Sequence, residues 1–152
     1  MSTIQSCSNS SDPLASPDPQ PVPDARSRDW LLVVDDDAPI CELFERSLGG
    51  DGLEVVSSHS ARSALTVLEE RTADPLLVFA DVVMPGMDGL TFVRKVRARR
   101  PRSKIVVISG NLTDVSWWPA DLRDVTFLAK PFRLAQLIEL VATAQREQRA
   151  IG

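Results

Sequence analysis

Cysteine is scarce in this chain, with Cys7 and Cys41 the two present among 152 residues. Cys7 lies in a polar N-terminal stretch and Cys41 in a segment with helical patterning, so neither a disulfide framework nor a zinc site is expected. Two free thiols fit a reducing compartment. No apolar run approaches the ~18–20 residues that cross a bilayer. The N-terminus lacks the basic-then-apolar order of a secretory signal, its first positive side chain being Arg26. These absences predict a cytoplasmic protein without membrane contact. Positive charge is outweighed as well: 17 Lys and Arg stand against 21 Asp and Glu, a net charge of −4. Non-specific nucleic-acid binding draws on basic groups that release counterions, so no nucleic-acid partner is expected. Histidine occurs once, at His59, without a metal-ligand partner at useful spacing, and is assigned no role.

Residues 1–28 are rich in Ser, Pro, Asp and Gln, with Pro13, Pro17, Pro19, Pro21 and Pro23. Such a composition buries too little apolar surface to offset chain entropy, and predicts a disordered arm. The folded domain is expected over 29–152. With 43% of all residues hydrophobic, that length can build one core.

From Trp30 the pattern changes. Trp30-Leu31-Leu32-Val33-Val34 is a short continuous apolar run, as in a strand buried on both faces of a parallel sheet. Asp37 is placed as the cap of a helix with Pro39 in its first turn, an apolar stripe at Ile40, Leu43, Phe44 and Leu48, and a stop at Gly49-Gly50. The alternation then repeats. Strands are expected at 53–56, 76–80, 104–108 and 125–129, and helices at 61–71, 90–100 and 133–148. The last helix carries Leu134, Leu137, Ile138 and Val141 at helical spacing. The segment 111–124, with Trp117, Trp118 and Pro119, lacks a stripe and predicts a short or irregular fourth helix. The two tryptophans are read as cover over the sheet edge. Alternating strands and helices predict an α/β doubly wound fold with helices on both faces.

In such sheets ligands bind at the carboxyl ends of the strands. Those ends hold Asp35, Asp36 and Asp37, then Asp81, then Ser109, then Lys130. Clustered carboxylates repel one another unless a cation neutralises them. Two or three Asp side chains and a backbone carbonyl suit a hard divalent ion such as Mg²⁺. A remaining carboxylate can then attack phosphorus, with Lys130 balancing charge and the Ser109 hydroxyl donating a hydrogen bond.

Four pieces, Val33-Val34-Asp35-Asp36-Asp37, Asp81-Val82-Val83-Met84-Pro85-Gly86-Met87-Asp88-Gly89, Val107-Ile108-Ser109-Gly110 and Lys130-Pro131-Phe132, occur in that order. Together they resemble the receiver domains of two-component response regulators, over roughly residues 29–148. The resemblance implies a flavodoxin-like five-stranded parallel sheet of strand order 2-1-3-4-5. Asp81 then resembles the phosphoacceptor. Asp35, Asp36 and Asp81, with the backbone carbonyl of Val83, would hold Mg²⁺. Ser109 matches the switch hydroxyl, Lys130 the family lysine, and Phe127 the switch aromatic, here without a tyrosine hydroxyl. The Lys130-Pro131 bond is expected to be cis. The irregular stretch after Ser109 and the Phe-Leu-Ala-Lys-Pro-Phe ending are similar to receivers of hybrid histidine kinases.

The resemblance further implies a phosphoacceptor signalling protein rather than an enzyme with a separate substrate. Its donor would be a histidine kinase or a histidine phosphotransfer domain, and its downstream partner an unknown protein. About 20 residues follow Lys130-Pro131 and the last helix uses them, so no helix-turn-helix output domain is expected. Two rival readings stand beside this one. A haloacid-dehalogenase-type phosphohydrolase would use Asp35 as nucleophile and Asp37 as acid/base, with Ser109 and Lys130 as later motifs. It leaves Asp81 and the Met-Pro-Gly loop unexplained. A degenerate receiver would bind partners without phosphorylation, although every reactive position is filled.

Overall fold

The structure, a computed structural model, describes residues 29–50, 52–82, 88–110 and 118–151. The expected arm over 1–28 and the sequence features at Val83, Pro85, Gly86 and Trp117 lie outside the described residues. Five strands and four α-helices follow in order: β1 (Asp29–Val34), α1 (Ala38–Leu48), β2 (Leu53–Ser58), α2 (Ala61–Glu70), β3 (Leu77–Asp81), α3 (Gly89–Arg99), β4 (Lys104–Ser109), β5 (Thr126–Ala129) and α4 (Leu134–Ile151). All strand pairs are parallel, and the sheet order is β2-β1-β3-β4-β5. Between β4 and β5 the described residues form only a three-residue 3₁₀ turn, Ala120–Leu122, which agrees with the expected short or irregular element.

The continuous apolar runs are buried on both faces, as period-2 geometry requires. On one side Trp30, Leu32, Val34, Val78, Ala80, Ile105 and Val107 meet Ala61, Ala64, Leu65 and Leu68 of α2 and Phe92, Val93 and Val96 of α3. On the other side Leu31, Val33, Leu77, Phe79, Val106, Ile108 and Leu128 meet Cys41 and Phe44 of α1 and Leu137, Val141 and Ala144 of α4.

Two helical stripes differ from expectation. Leu43 is 41% exposed, and Leu134 and Ile138 are 43% and 50% exposed. At about 100° per residue, Ile40, Cys41, Phe44 and Leu48 share one arc of α1, and Leu43 falls outside it. In α4 the small Ala144 lets the helix face the sheet through Leu137 and Val141, turning Leu134 and Ile138 outward. Asp37 occupies the cap position of α1, but its side chain makes no capping bond. Ser60 and Asp88 do cap α2 and α3, accepting from the N–H groups of Ser63 and Leu90.

A candidate phosphoacceptor site at the carboxyl rim

Strand register brings the candidate residues together. Val34 pairs with Ala80, Asp81 with Ile108, and Ser109 with Ala129. Asp35, Asp81, Ser109 and Lys130 therefore lie at or one residue beyond four adjacent strand ends. The ladder continues at this rim, where Lys130 N–H donates to the Ser109 carbonyl at 2.9 Å and Val82 N–H to the Ile108 carbonyl at 3.2 Å. The Lys130-Pro131 peptide is cis, as expected.

The Lys130 ammonium donates to Asp35 Oδ2 at 3.0 Å and to Asp81 Oδ2 at 3.1 Å. Asp35 Oδ1 accepts the N–H of Asp37 at 2.9 Å. Asp35 is wholly buried and Asp81 is 7% exposed, whereas Asp36 is exposed. One carboxylate oxygen from each of Asp35, Asp36 and Asp81 lies within 4.8 Å of the other two. Burial raises the Asp35 carboxyl above the usual aspartate range, more than its bonds from Asp37 and Lys130 lower it. Burial pulls the Lys130 ammonium down, but the bonds to Asp35 and Asp81 more than offset this and leave it raised.

Three carboxylates thus cluster at the rim, and one ammonium bonds to two of them. The rim retains excess negative charge and presents hard oxygen donors at close spacing, a set that fits Mg²⁺. Two of its carboxylates, Asp35 and Asp81, are buried at the ends of β1 and β3.

Ser109 is 4% exposed at the end of β4. Phe127 lies back from the rim, half-buried, with its ring edge-to-face on Trp118 at 4.6 Å between centroids. Trp118 is 4% exposed, which agrees with a covering role. Val83 lies outside the described residues. Asp35, the nucleophile of the phosphohydrolase reading, is wholly buried with both oxygens accepting hydrogen bonds, and Asp37, its acid/base, is exposed.

Two other residues touch the site, Cys41 without a signal in the sequence and Gly89 as the end of the Asp81–Gly89 piece. The Cys41 thiol donates to the Asp35 carbonyl at 3.4 Å and lies 3.8 Å from His59 Nδ1. Burial pushes that thiol above its ordinary range. Gly89 opens α3 directly against the acceptor. A Cβ there would stand 2.3 Å from Val82 Cα and 2.8 Å from the Asp81 carbonyl oxygen.

Known proteins resemble this arrangement. The model of the response regulator receiver domain matches residues 31–142. NtrC, a DNA-binding transcriptional regulator of Salmonella typhimurium, is 33% identical over 120 residues, which are 77% of this chain and 25% of NtrC. The sensor kinase CckA of Brucella abortus is 35% identical over 120 residues, 78% of this chain and 13% of CckA. The chain therefore spans a quarter or less of the length of these two relatives. A CheY-like receiver domain from Methanospirillum hungatei superposes with a TM-score of 0.71 at 25% identity, covering 82% of this chain and 98% of that one. TrrA of Thermotoga maritima, solved in complex with Mg²⁺ and BeF, has a TM-score of 0.65 at 25% identity, covering 76% and 98%. No helix among the described residues is long and apolar enough to cross a membrane. With the fold, the acidic rim and these likenesses in agreement, the chain belongs to the response regulator receiver domain family.

Proposed function

We propose that this receiver accepts a phosphoryl group from a phosphohistidine onto Asp81, and signals by changing which protein it binds or by passing the group along a relay. The observation that carries this reading is the Lys130 ammonium held between Asp35 and Asp81 inside a three-carboxylate cluster. In the transfer an oxygen of the Asp81 carboxylate attacks phosphorus. The P–O bond forms, the P–N bond breaks, and the electron pair leaves with the imidazole nitrogen. Lys130 then exchanges its bond to Asp81 for one to a phosphoryl oxygen, and the Ser109 hydroxyl donates a hydrogen bond to another. Asp35, Asp36 and Asp81, with the Val83 carbonyl as a further expected ligand, would hold Mg²⁺, which when bound offsets the charge of the carboxylates and the phosphoryl oxygens.

Shifts of Ser109 and Lys130 bias a pre-existing equilibrium that includes Phe127. The chain acts as a phosphoacceptor in the cytoplasm, with a histidine kinase or a histidine phosphotransfer domain as donor. Likeness to a stretch of CckA supports a phosphohistidine source. The TrrA complex supports Mg²⁺ and a phosphoryl mimic at this rim.

Phosphotransfer from a panel of phosphorylated kinases and phosphotransfer domains tests the reading. The native chain should label, and Asp81→Asn should fold and not label. Label on Asp35, or undiminished label in Asp81→Asn, overturns the assignment. Beryllofluoride with Mg²⁺ separates an active receiver from a degenerate one. Resonances of Asp81 and Ser109 should move, and unmoved resonances favour a module that binds without phosphorylation.

A further inference from the structure

Residues 118–124, before β5, are fastened to α3 by two arginines. Arg94 of α3 grips Asp121 with two bonds, Nε to Oδ2 at 3.0 Å and Nη2 to Oδ1 at 3.2 Å. Arg97 donates to the Asp121 carbonyl at 2.9 Å and pairs with the Asp124 carboxylate. All four side chains lie on the surface, at 33–66% exposure. Beneath them Trp118 is buried, its Nε1–H donating to the Leu122 carbonyl at 2.7 Å. Its ring meets Phe127 edge to face. Phe127 pairs across the sheet with Val107, and Ser109 lies two residues further along β4 on the same face. A diagonal neighbour of this kind is within reach of an aromatic ring. Residues 118–124 thus form a cassette tied to α3 by ion pairs on the outside and to Phe127 by a ring contact on the inside.

We infer that Trp118 is a latch on Phe127, and that the Arg94–Asp121 and Arg97–Asp124 pairs hold it closed in the unphosphorylated chain. This rests on the phosphoacceptor reading above. Phe127 can follow a movement of Ser109 only by leaving Trp118, so the latch opposes the phosphorylated arrangement. Surface ion pairs are weak singly and screened by salt, which makes such a strap releasable. Signal leaves the rim through the cassette to α3, to which the Arg94 and Arg97 pairs tie it.

The test uses the full chain labelled with 5-fluorotryptophan, its three resonances assigned with Trp30→Phe and Trp117→Phe. Beryllofluoride and Mg²⁺ are the probe, and the bound fluoride gives its own ¹⁹F signal. The Trp118 resonance should shift while that of Trp30, bonded to the Ala73 carbonyl at the far end of β1, stays in place. Bound fluoride with an unmoved Trp118 resonance overturns the latch and leaves the receiver reading intact. Absence of bound fluoride defeats the phosphoacceptor reading, and the latch with it. In the double variant Arg94→Gln/Arg97→Gln, beryllofluoride should bind about two- to thirtyfold tighter, the factor expected from losing two surface ion pairs that oppose binding. The unliganded Trp118 resonance should move toward its liganded position. Unchanged affinity and an unmoved resonance in this variant also overturn the latch.

Discussion

Lys130 gives one ammonium to two carboxylates, one of them wholly buried. Removing it leaves Asp35 without its cation, and a lone buried charge costs more than the pair ever contributed. Lys130→Ala should lose about 1–3 kcal/mol at neutral pH without divalent ions, read by urea denaturation. Unchanged stability would show that water already carries the load. The pH dependence of ion binding has a defined sign. Because burial raises the Asp35 carboxyl, the folded protein keeps that proton to a higher pH than an exposed aspartate does. Mg²⁺ needs the carboxylate, so its affinity should begin to fall on acidification above the ordinary aspartate range. A series of Mg²⁺ titrations across pH checks this, and a fall confined to the ordinary range contradicts it. Gly89 is a different kind of requirement. The atoms that a Cβ would strike there are backbone atoms of Asp81 and Val82, which cannot rotate away. Gly89→Ala should cost about 1–3 kcal/mol and slow phosphorylation by displacing the acceptor, measured by denaturation and by initial labelling rate.

At the scale of elements, the ends of helices decide what the sequence can reveal. The carboxyl end of α2 leaves carbonyls without intrahelical partners. Arg100, just past α3, donates to the carbonyl of Leu68 at 2.6 Å and to that of Arg71, and pairs with Asp74 at 3.0 Å. Its side chain is 19% exposed, so these bonds are partly shielded from water. Arg100→Ala should cost about 1–2 kcal/mol, seen as a lower urea midpoint, whereas Lys95→Ala on the exposed side of α3 should not. Nothing in the sequence marked Arg100 apart from its basic neighbours, because its partners lie 26–32 residues away. The strands were legible because runs such as Leu31–Val34 and Val78–Ala80 need shelter on two faces, which points to a parallel sheet between helices, whereas the strand order came from the family resemblance. The rim was legible for the same reason, since a charge that ends a buried strand must emerge at one edge. Helix faces were less so. Leu43, Leu134 and Ile138 fit a helical period, yet the register of each helix on the sheet is set by tertiary packing against Phe44, Leu137 and Ala144. The Trp118–Phe127 contact depends on a non-periodic turn and left no pattern to read.

Over the whole molecule, the single sheet carries both core clusters, so the two halves cannot lose packing independently. An ion at the rim would bind residues from β1 and β3 or just beyond them, and would stabilise that entire unit by mass action. At a Mg²⁺ concentration 100 times its dissociation constant the gain is about 2.7 kcal/mol, on the order of 10 °C in Tm for a domain of this size. Asp36 separates that gain from ordinary packing. Its side chain is exposed, so Asp36→Ala opens no cavity, and without the ion it removes one of three mutually repelling carboxylates. The variant should therefore be as stable as the native chain or slightly more so in chelator, and should lose most of the rise on adding Mg²⁺. Thermal scans of both proteins across a Mg²⁺ series make the comparison. If the two curves rise together, Asp36 is no ligand. If neither rises, the ion does not bind this rim at all.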